Sequence, residues 1–176
     1  ALGGMLQPSV FGVLLIAALA LFVHDRTLWA AVCCGAACTI HPTYLLPAAL
    51  VILGFMTTLV LEKRPGLAFL VGGAALMLVL PITLHALRTF GATTPAQFAQ
   101  AQDILANMRI PHHCRVDLWL DPVAGLQIAW LTAGIALTWR TRLFPVLVVP
   151  FALGALLTIV QAISGSNYLA LVFPWR

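Results

Sequence analysis

Charge is what this chain lacks. Aspartate, glutamate, lysine and arginine make up 8% of its 176 residues, against roughly a quarter in soluble globular domains. A soluble fold of this size is excluded, because hydrophobic residues are 62% of the chain and one core could not bury them all. No run of basic residues is present. The net charge of +4 is spread one to three residues at a time, which excludes a nucleic-acid surface and fits topology signals at span ends. CxxC and HxxxH spacings are absent. Of the four cysteines, Cys33, Cys34 and Cys38 sit in an apolar segment and only Cys114 lies in a polar one, so no disulfide framework is expected. Walker loop, dinucleotide fingerprint, serine elbow and HExxH are all missing, and no cofactor is implied. No signal-peptide pattern is present. The chain opens on Ala1-Leu2-Gly3-Gly4 and closes on Phe173-Pro174-Trp175-Arg176 after an apolar run, which reads as a piece of a longer polytopic protein. No internal repeat is evident, and no acidic residue falls mid-span.

What is present is a series of apolar segments. The first runs from about Val10 to Val23, reaching back towards Leu2, and stops at His24-Asp25-Arg26. Thr27 to Ile40 follows. Its 14 residues make only about 21 Å of helix, short of a hydrocarbon core of roughly 30 Å. His41-Pro42-Thr43 breaks the chain, since proline disfavours helix before it and starts helix well. Tyr44 to Leu61, Leu67 to about Leu84 (with Pro81 as a kink), Ala124 to Thr138 and Leu143 to Ile163 complete six spans. A further element is expected from Tyr168 to Trp175. Tryptophans such as Trp29, Trp119 and Trp139 fall near span ends, as an aromatic belt does. The fold class is therefore all-α integral membrane, one domain over residues 1–176, with one span short and broken at His41-Pro42.

The turns carrying Arg26, Lys63-Arg64 and Arg140-Arg142 share one side after six crossings. The positive-inside rule makes that side cytoplasmic. The loop over residues 87–122 is then extracytoplasmic. Within it, Thr94-Pro95 starts an amphipathic interfacial helix over about 95–108, with Phe98, Ala101, Ile104, Leu105 and Met108 on its apolar face.

The candidate site lies in that loop. Arg109-Ile110-Pro111-His112-His113-Cys114-Arg115 brings two imidazoles between two guanidinium groups, an arrangement that favours an anion, a phosphate above all. The plainer reading is a headgroup-level loop touching lipid phosphates. His112, His113, Cys114 and Asp117 are also residue types that zinc accepts. Adjacent side chains diverge, however, and the arginines repel a cation, so no metal is expected. His41 and Tyr44 mark a helix break whose freed backbone groups need a cavity or protein partners; the alternative is a plain tight turn. His85 and Arg88 end the fourth span on the same face and add to a basic pocket, or simply snorkel.

Four blocks carry a resemblance: Gln7-Pro8-Ser9-Val10-Phe11-Gly12-Val13-Leu14-Leu15, His41-Pro42-Thr43-Tyr44-Leu45-Leu46-Pro47, Arg109-Ile110-Pro111-His112-His113, and Phe173-Pro174-Trp175-Arg176. In this order they resemble a group of uncharacterised bacterial polytopic membrane proteins. That group is in turn similar to glycosyltransferases of the C superfamily, which take sugars from polyprenyl-phosphate carriers at the outer face. The resemblance implies a bacterial inner-membrane protein acting on a lipid-linked phosphorylated substrate. Arg88, Arg109 and Arg115 would hold the phosphate. His112 or His113 would give a proton or hydrogen bond to the leaving group, and His41 and Tyr44 would line the cavity. The superfamily's usual acid in the first outer loop would precede Ala1, and Asp103, Asp117 and Asp121 match no such motif. Two other classes stay open: a non-catalytic subunit of a larger membrane complex, and a transporter with its site at the broken helix.

Overall fold

The computed structural model describes residues 8–91 and 93–172, with the side chains of 8–11 and 90 outside that description. The blocks before Pro8 and after Val172 also lie outside the described residues. What is described is all-helical: α1 Pro8–Val23, α2 Thr27–Ile40, α3 Leu45–Leu61, α4 Pro65–Phe90, α5 Pro95–Asp103, α6 Pro111–Cys114, α7 Val116–Trp119, α8 Pro122–Leu137, α9 Leu143–Ser164 and α10 Asn167–Leu171. Three stretches are long and apolar enough to cross a membrane: Pro42–Leu61, Pro65–Thr89 and Leu143–Ser164. Helices α1, α2 and α8 are shorter and equally apolar. Leu137, Ile163, Phe69 and Trp130 are among many large apolar side chains left bare on the flanks, the surface a lipid solvent would wet.

Helices start and stop where local chemistry says they must. Proline sits at the first turn of α4, α5, α6 and α8, where its missing N–H costs nothing. Two turns are built alike. In the first, the N–H of Arg26 donates to Leu21 O at 2.8 Å and that of Asp25 to Phe22 O at 3.0 Å. In the second, Arg64 donates to Leu59 O at 2.8 Å and Lys63 to Val60 O at 2.9 Å. Asp25 and Lys63 take left-handed φ values of 60° and 59°, as this closure demands. The following helices then repeat Ala30 as Ala68 and Gly35-Ala36-Ala37 as Gly73-Ala74-Ala75. α1–α2 and α3–α4 are thus two hairpins of one design.

The hairpins close on one core. Phe22 of α1 stacks on Phe55 of α3, ring centroids 4.1 Å apart and nearly parallel. Both are fully buried with Ala30, Ala31, Leu59, Ala68 and Val71. Small residues let the helices approach. A β-carbon on Gly35 would meet Leu78 of α4 at 2.8 Å, and one on Gly54 would meet the Val146 carbonyl of α9 at 2.6 Å.

Arg142, at the start of α9, joins everything at this end. Its Nη1 donates to Phe22 O at 2.8 Å, and its Nη2 to Asp25 Oδ1 and Glu62 Oε2, each at 3.1 Å. Nε lies 2.7 Å from Glu62 Oε1, out of line for a hydrogen bond. The guanidinium also covers the Phe22 ring, 4.4 Å from its centroid, a cation–π contact. Arg64 completes the group through Asp25 at 2.9 Å. The Arg64 hydrogen bond holds the Asp25 carboxyl below its usual range against an opposing desolvation, and the Arg142 hydrogen bond adds to the lowering. The three basic turns therefore meet at one end of the bundle.

One helix outruns its expected span. α4 continues through His85 and Arg88 to Phe90, so the polar connection begins at Gly91. The helix had no reason to stop where its side chains turned polar, because its backbone stays paired up to Gly91 N–H on Leu87 O at 2.9 Å.

Arg142→Ala should lower the unfolding free energy by about 1–3 kcal/mol, since it leaves the Phe22 carbonyl and the Glu62 carboxylate without their hydrogen-bond donor and Asp25 with Arg64 alone. Arg142→Lys should recover less than half, because one ammonium cannot reproduce the guanidinium fork. Thermal unfolding in detergent checks both, and an unchanged alanine variant would disprove the role.

Candidate functional site

The opposite end is roofed by residues 93–121. Thr94 caps α5 through a reciprocal pair: the Gln97 N–H donates to Thr94 Oγ1 at 3.3 Å and the Thr94 N–H to Gln97 Oε1 at 3.2 Å. The helix then widens into a π turn over Ile104–Arg109. The Ile110 N–H reaches five residues back to Leu105 O at 3.0 Å. Such a widening re-aims side chains within one turn. Here Ala106 enters a small core with Cys114 and Ala170. Asn107 donates to Asp103 Oδ1 at 2.8 Å and to Asn167 Oδ1 at 3.4 Å. Gly165, with φ of 62°, ends α9, and the Ser166 hydroxyl caps α10, accepting from the Leu169 N–H at 3.3 Å.

Between the π turn, the 114–120 segment and the top of α9 is a cavity of about 500 Å³. Asn107, Arg115, Asp117, Gln161 and Asn167 supply its polar wall, with small residues such as Ala106 and Gly165 between them. Gln161 is 8% exposed, and its Oε1 has no hydrogen-bond partner. A second, apolar cleft of about 720 Å³ lies further down α9, lined by Trp130, Leu131, Ile135, Leu147 and Phe151. It exists because α8 packs loosely on α9 and buries no residue of its own.

Each expected residue has a definite place. Arg115 lines the cavity, where its Nη2 donates to Asp117 Oδ2 at 2.6 Å and its Nε to Oδ1 at 3.2 Å. That pairing raises the guanidinium pKa and lowers that of the carboxyl. His112 is exposed and His113 half-buried on α6, their rings 4.1 Å apart at 50°. Arg109 ends the π turn and Arg88 the long α4, both exposed. Among the described residues neither pairs with a carboxylate.

His41 and Tyr44 stand at the same end of the bundle but lower. The hydroxyl of Thr39, at the top of α2, donates to Leu78 O at 3.4 Å. α4 continues from there to Phe90, so it rises about 18 Å past the His41 turn at 1.5 Å per residue. From its crossing with Gly54, α9 likewise passes the start of α3 by about 13 Å. The turn is a recess. His41 Nδ1 accepts from Thr43 N at 3.3 Å and faces Thr43 Oγ1 at 2.7 Å. Accepting from a backbone N–H leaves Nε2 as the protonated nitrogen of the neutral ring. The Tyr44 hydroxyl reaches α1, 3.5 Å from where a β-carbon on Gly12 would sit. The main contacts of the 41–44 turn are with α2 and α3, and those of α6 with the π turn, α7 and α10. The two histidine groups share an end of the molecule at different depths.

Reading the sequence missed Gln161, Asn107 and Asn167. The only signal for Gln161 is one uncharged polar residue inside the apolar run of α9. Among the described residues no three of His, Cys, Asp and Glu come together as metal ligands would.

Asp117 has a depressed pKa in the folded chain, so its pairing contributes above the ordinary aspartate value of 3.8 and is lost as pH falls through the lowered folded value. Protection of the 114–120 amides, measured against the intrinsic exchange rate at each pH, should therefore fall in acid below that value. Asp117→Asn should show the faster exchange already at neutral pH. Equal protection in the two proteins would contradict the assignment.

Comparison with protein-family models, with curated proteins and with solved structures finds no match to this chain.

Proposed function

We propose that the chain is a multi-pass membrane protein of six crossings, α1 to α4, α8 and α9. Its basic turns face the cytoplasm and its roof the other side, in a bacterial inner membrane. It handles a lipid-linked phosphorylated substrate, polyprenyl phosphate in chemical class, in the manner of a glycosyltransferase. The observation that carries this reading is the pair of cavities along α9. A polar one sits under the roof and an apolar one between α8 and α9. From Gln161 to Phe151 is about 15 Å of helix. An amphipathic ligand, with a compact head and a long apolar chain, has the matching division of chemistry. Arg88 and Arg109 supply unpaired positive charge for the phosphate, with Arg115 at the cavity wall. In this reading His112 and His113, on α6 of the same roof, are the proton donors, and His41 and Tyr44 lie lower at the same end of the bundle.

A second reading has its own observation. α8 buries no residue, which suits a helix that completes its packing against another membrane subunit. In that reading the chain is an accessory subunit and the roof is a docking surface.

The full chain in lipid nanodiscs should retain a long-chain polyprenyl phosphate, read by native mass spectrometry, over the same chain's polyprenol. Arg88→Ala with Arg109→Ala should weaken this by about tenfold or more, the loss of two charge-assisted contacts. His112→Ala with His113→Ala should keep binding and abolish sugar transfer from a polyprenyl-phosphate sugar. Equal retention of phosphate and alcohol removes the reading. Stable co-purification with other membrane proteins, with no lipid preference, favours the second.

A further inference from the structure

The crossings proposed above carry two glutamines, and they face opposite ways. Gln161 of α9 turns into the bundle and is 8% exposed. Gln127 of α8 is exposed. It lies five residues beyond Pro122 in an apolar helix, about 7.5 Å along the axis. Hydroxyl groups inside these helices are satisfied by their own backbone. Thr132 of α8 donates to Ile128 O at 2.8 Å, and Thr58 and Thr158 donate to Gly54 O and Gly154 O at the same distance. Gln127 has no hydrogen bond among the described residues. A carboxamide facing hydrocarbon without a partner is costly, so its placement calls for a second element beside α8.

We infer that this element is α8 of a second copy of the chain, related to the first by a two-fold axis along the membrane normal. Such an axis puts equivalent residues at one depth, so Gln127 meets the partner's Gln127. A carboxamide donates and accepts together, and two of them exchange two hydrogen bonds. The group is therefore its own complement, as a contact between identical surfaces requires; a carboxylate or an ammonium would repel its copy. Gly134 follows by seven residues, roughly 20° round the helix from Gln127. A β-carbon there would meet nothing within 4 Å, so the backbones can approach closely on this face. Trp130 and Leu131 beside it are 71% and 58% exposed and offer apolar contact. Because α8 buries no residue of its own, nothing within one copy competes for the face. The dimer rests on α8 being one of the proposed crossings and goes beyond both readings above. A lipid chain in the α8–α9 cleft, which Gln127 and Gly134 also line, would lie between the copies.

Native mass spectrometry of the full chain in mild detergent should show a dimer, and dilution should give its dissociation constant. Gln127→Leu should raise that constant about tenfold, the loss of a reciprocal amide pair in hydrocarbon. Gln127→Asn should raise it less. Gly134→Leu should also raise it, by holding the backbones apart. Neither leucine should lower the thermal midpoint, since both positions point away from the bundle and leucine favours helix. Gly125→Leu, also facing open space but roughly 200° round the helix from Gln127, should leave the dimer unchanged. A monomeric parent overturns the dimer, as does a dimer indifferent to both Gln127→Leu and Gly134→Leu, or one broken equally by Gly125→Leu. A glutamine that only reaches up to the headgroups would give the first of these. A monomer that retains polyprenyl phosphate, or that co-purifies with other membrane proteins, sinks the dimer and leaves the corresponding reading standing. A dimer that does neither keeps the inference and removes both readings. Release of the chain from membranes by alkaline carbonate would overturn the crossings and the dimer together.

Discussion

One guanidinium holds the bundle in register. Arg142 bonds the last carbonyl turn of α1, the acid of the first turn and the acid of the second, and sits over a buried phenylalanine. In an apolar solvent, helices gain little from hiding hydrocarbon from hydrocarbon. Directional polar contacts and close backbone approach have to fix the arrangement instead. Here both occur at one end: the Arg142 network, and the Gly54–Val146 crossing just inside it. Asp25, Lys63 and Arg140 accept left-handed backbone, each at a cost of roughly 1–2 kcal/mol for a residue with a side chain, and so keep the three turns tight enough to meet.

With one end tied, helix length alone shapes the other. α2 has 14 residues, α3 17, α9 22 and α4 26. Starting level, they finish at different heights. The lowest rim is the His41 turn, and the highest carry the roof and the polar cavity. The candidate site follows from unequal lengths above a common base rather than from any special motif.

Much of this was legible. Helix limits followed from the polar breaks and, for α5, from the capping threonine and its proline, and α2, α8 and α9 fall within a residue or two of where the sequence puts them. Three things were not legible, each for a physical reason. The end of α4 was hidden because a helix leaving the apolar layer keeps its backbone pairing while its side chains change character. The π turn was hidden because one widened turn barely disturbs a 3.6-residue pattern. The shared geometry of the two turns was hidden because few of their residues match: Arg26 and Arg64 correspond, while Asp25 and Lys63, which take the left-handed backbone, do not. Of the expected site residues, Arg115 reaches the cavity already spoken for by Asp117. Gln161 gave almost no sign, since one amide in an apolar run looks like tolerated variation until its missing partner is seen.

The short reach of α2 has a consequence for the medium around it. A helix of about 21 Å cannot cross hydrocarbon roughly 30 Å thick, and its upper end carries Thr39, His41 and Thr43, which prefer water. In the proposed membrane setting, either headgroups would dip there or solvent would descend along α4 and α9 to meet the imidazole. The dielectric of this corner would then rise below the nominal surface, and the insulating layer between the two compartments would be thinnest beneath the histidine.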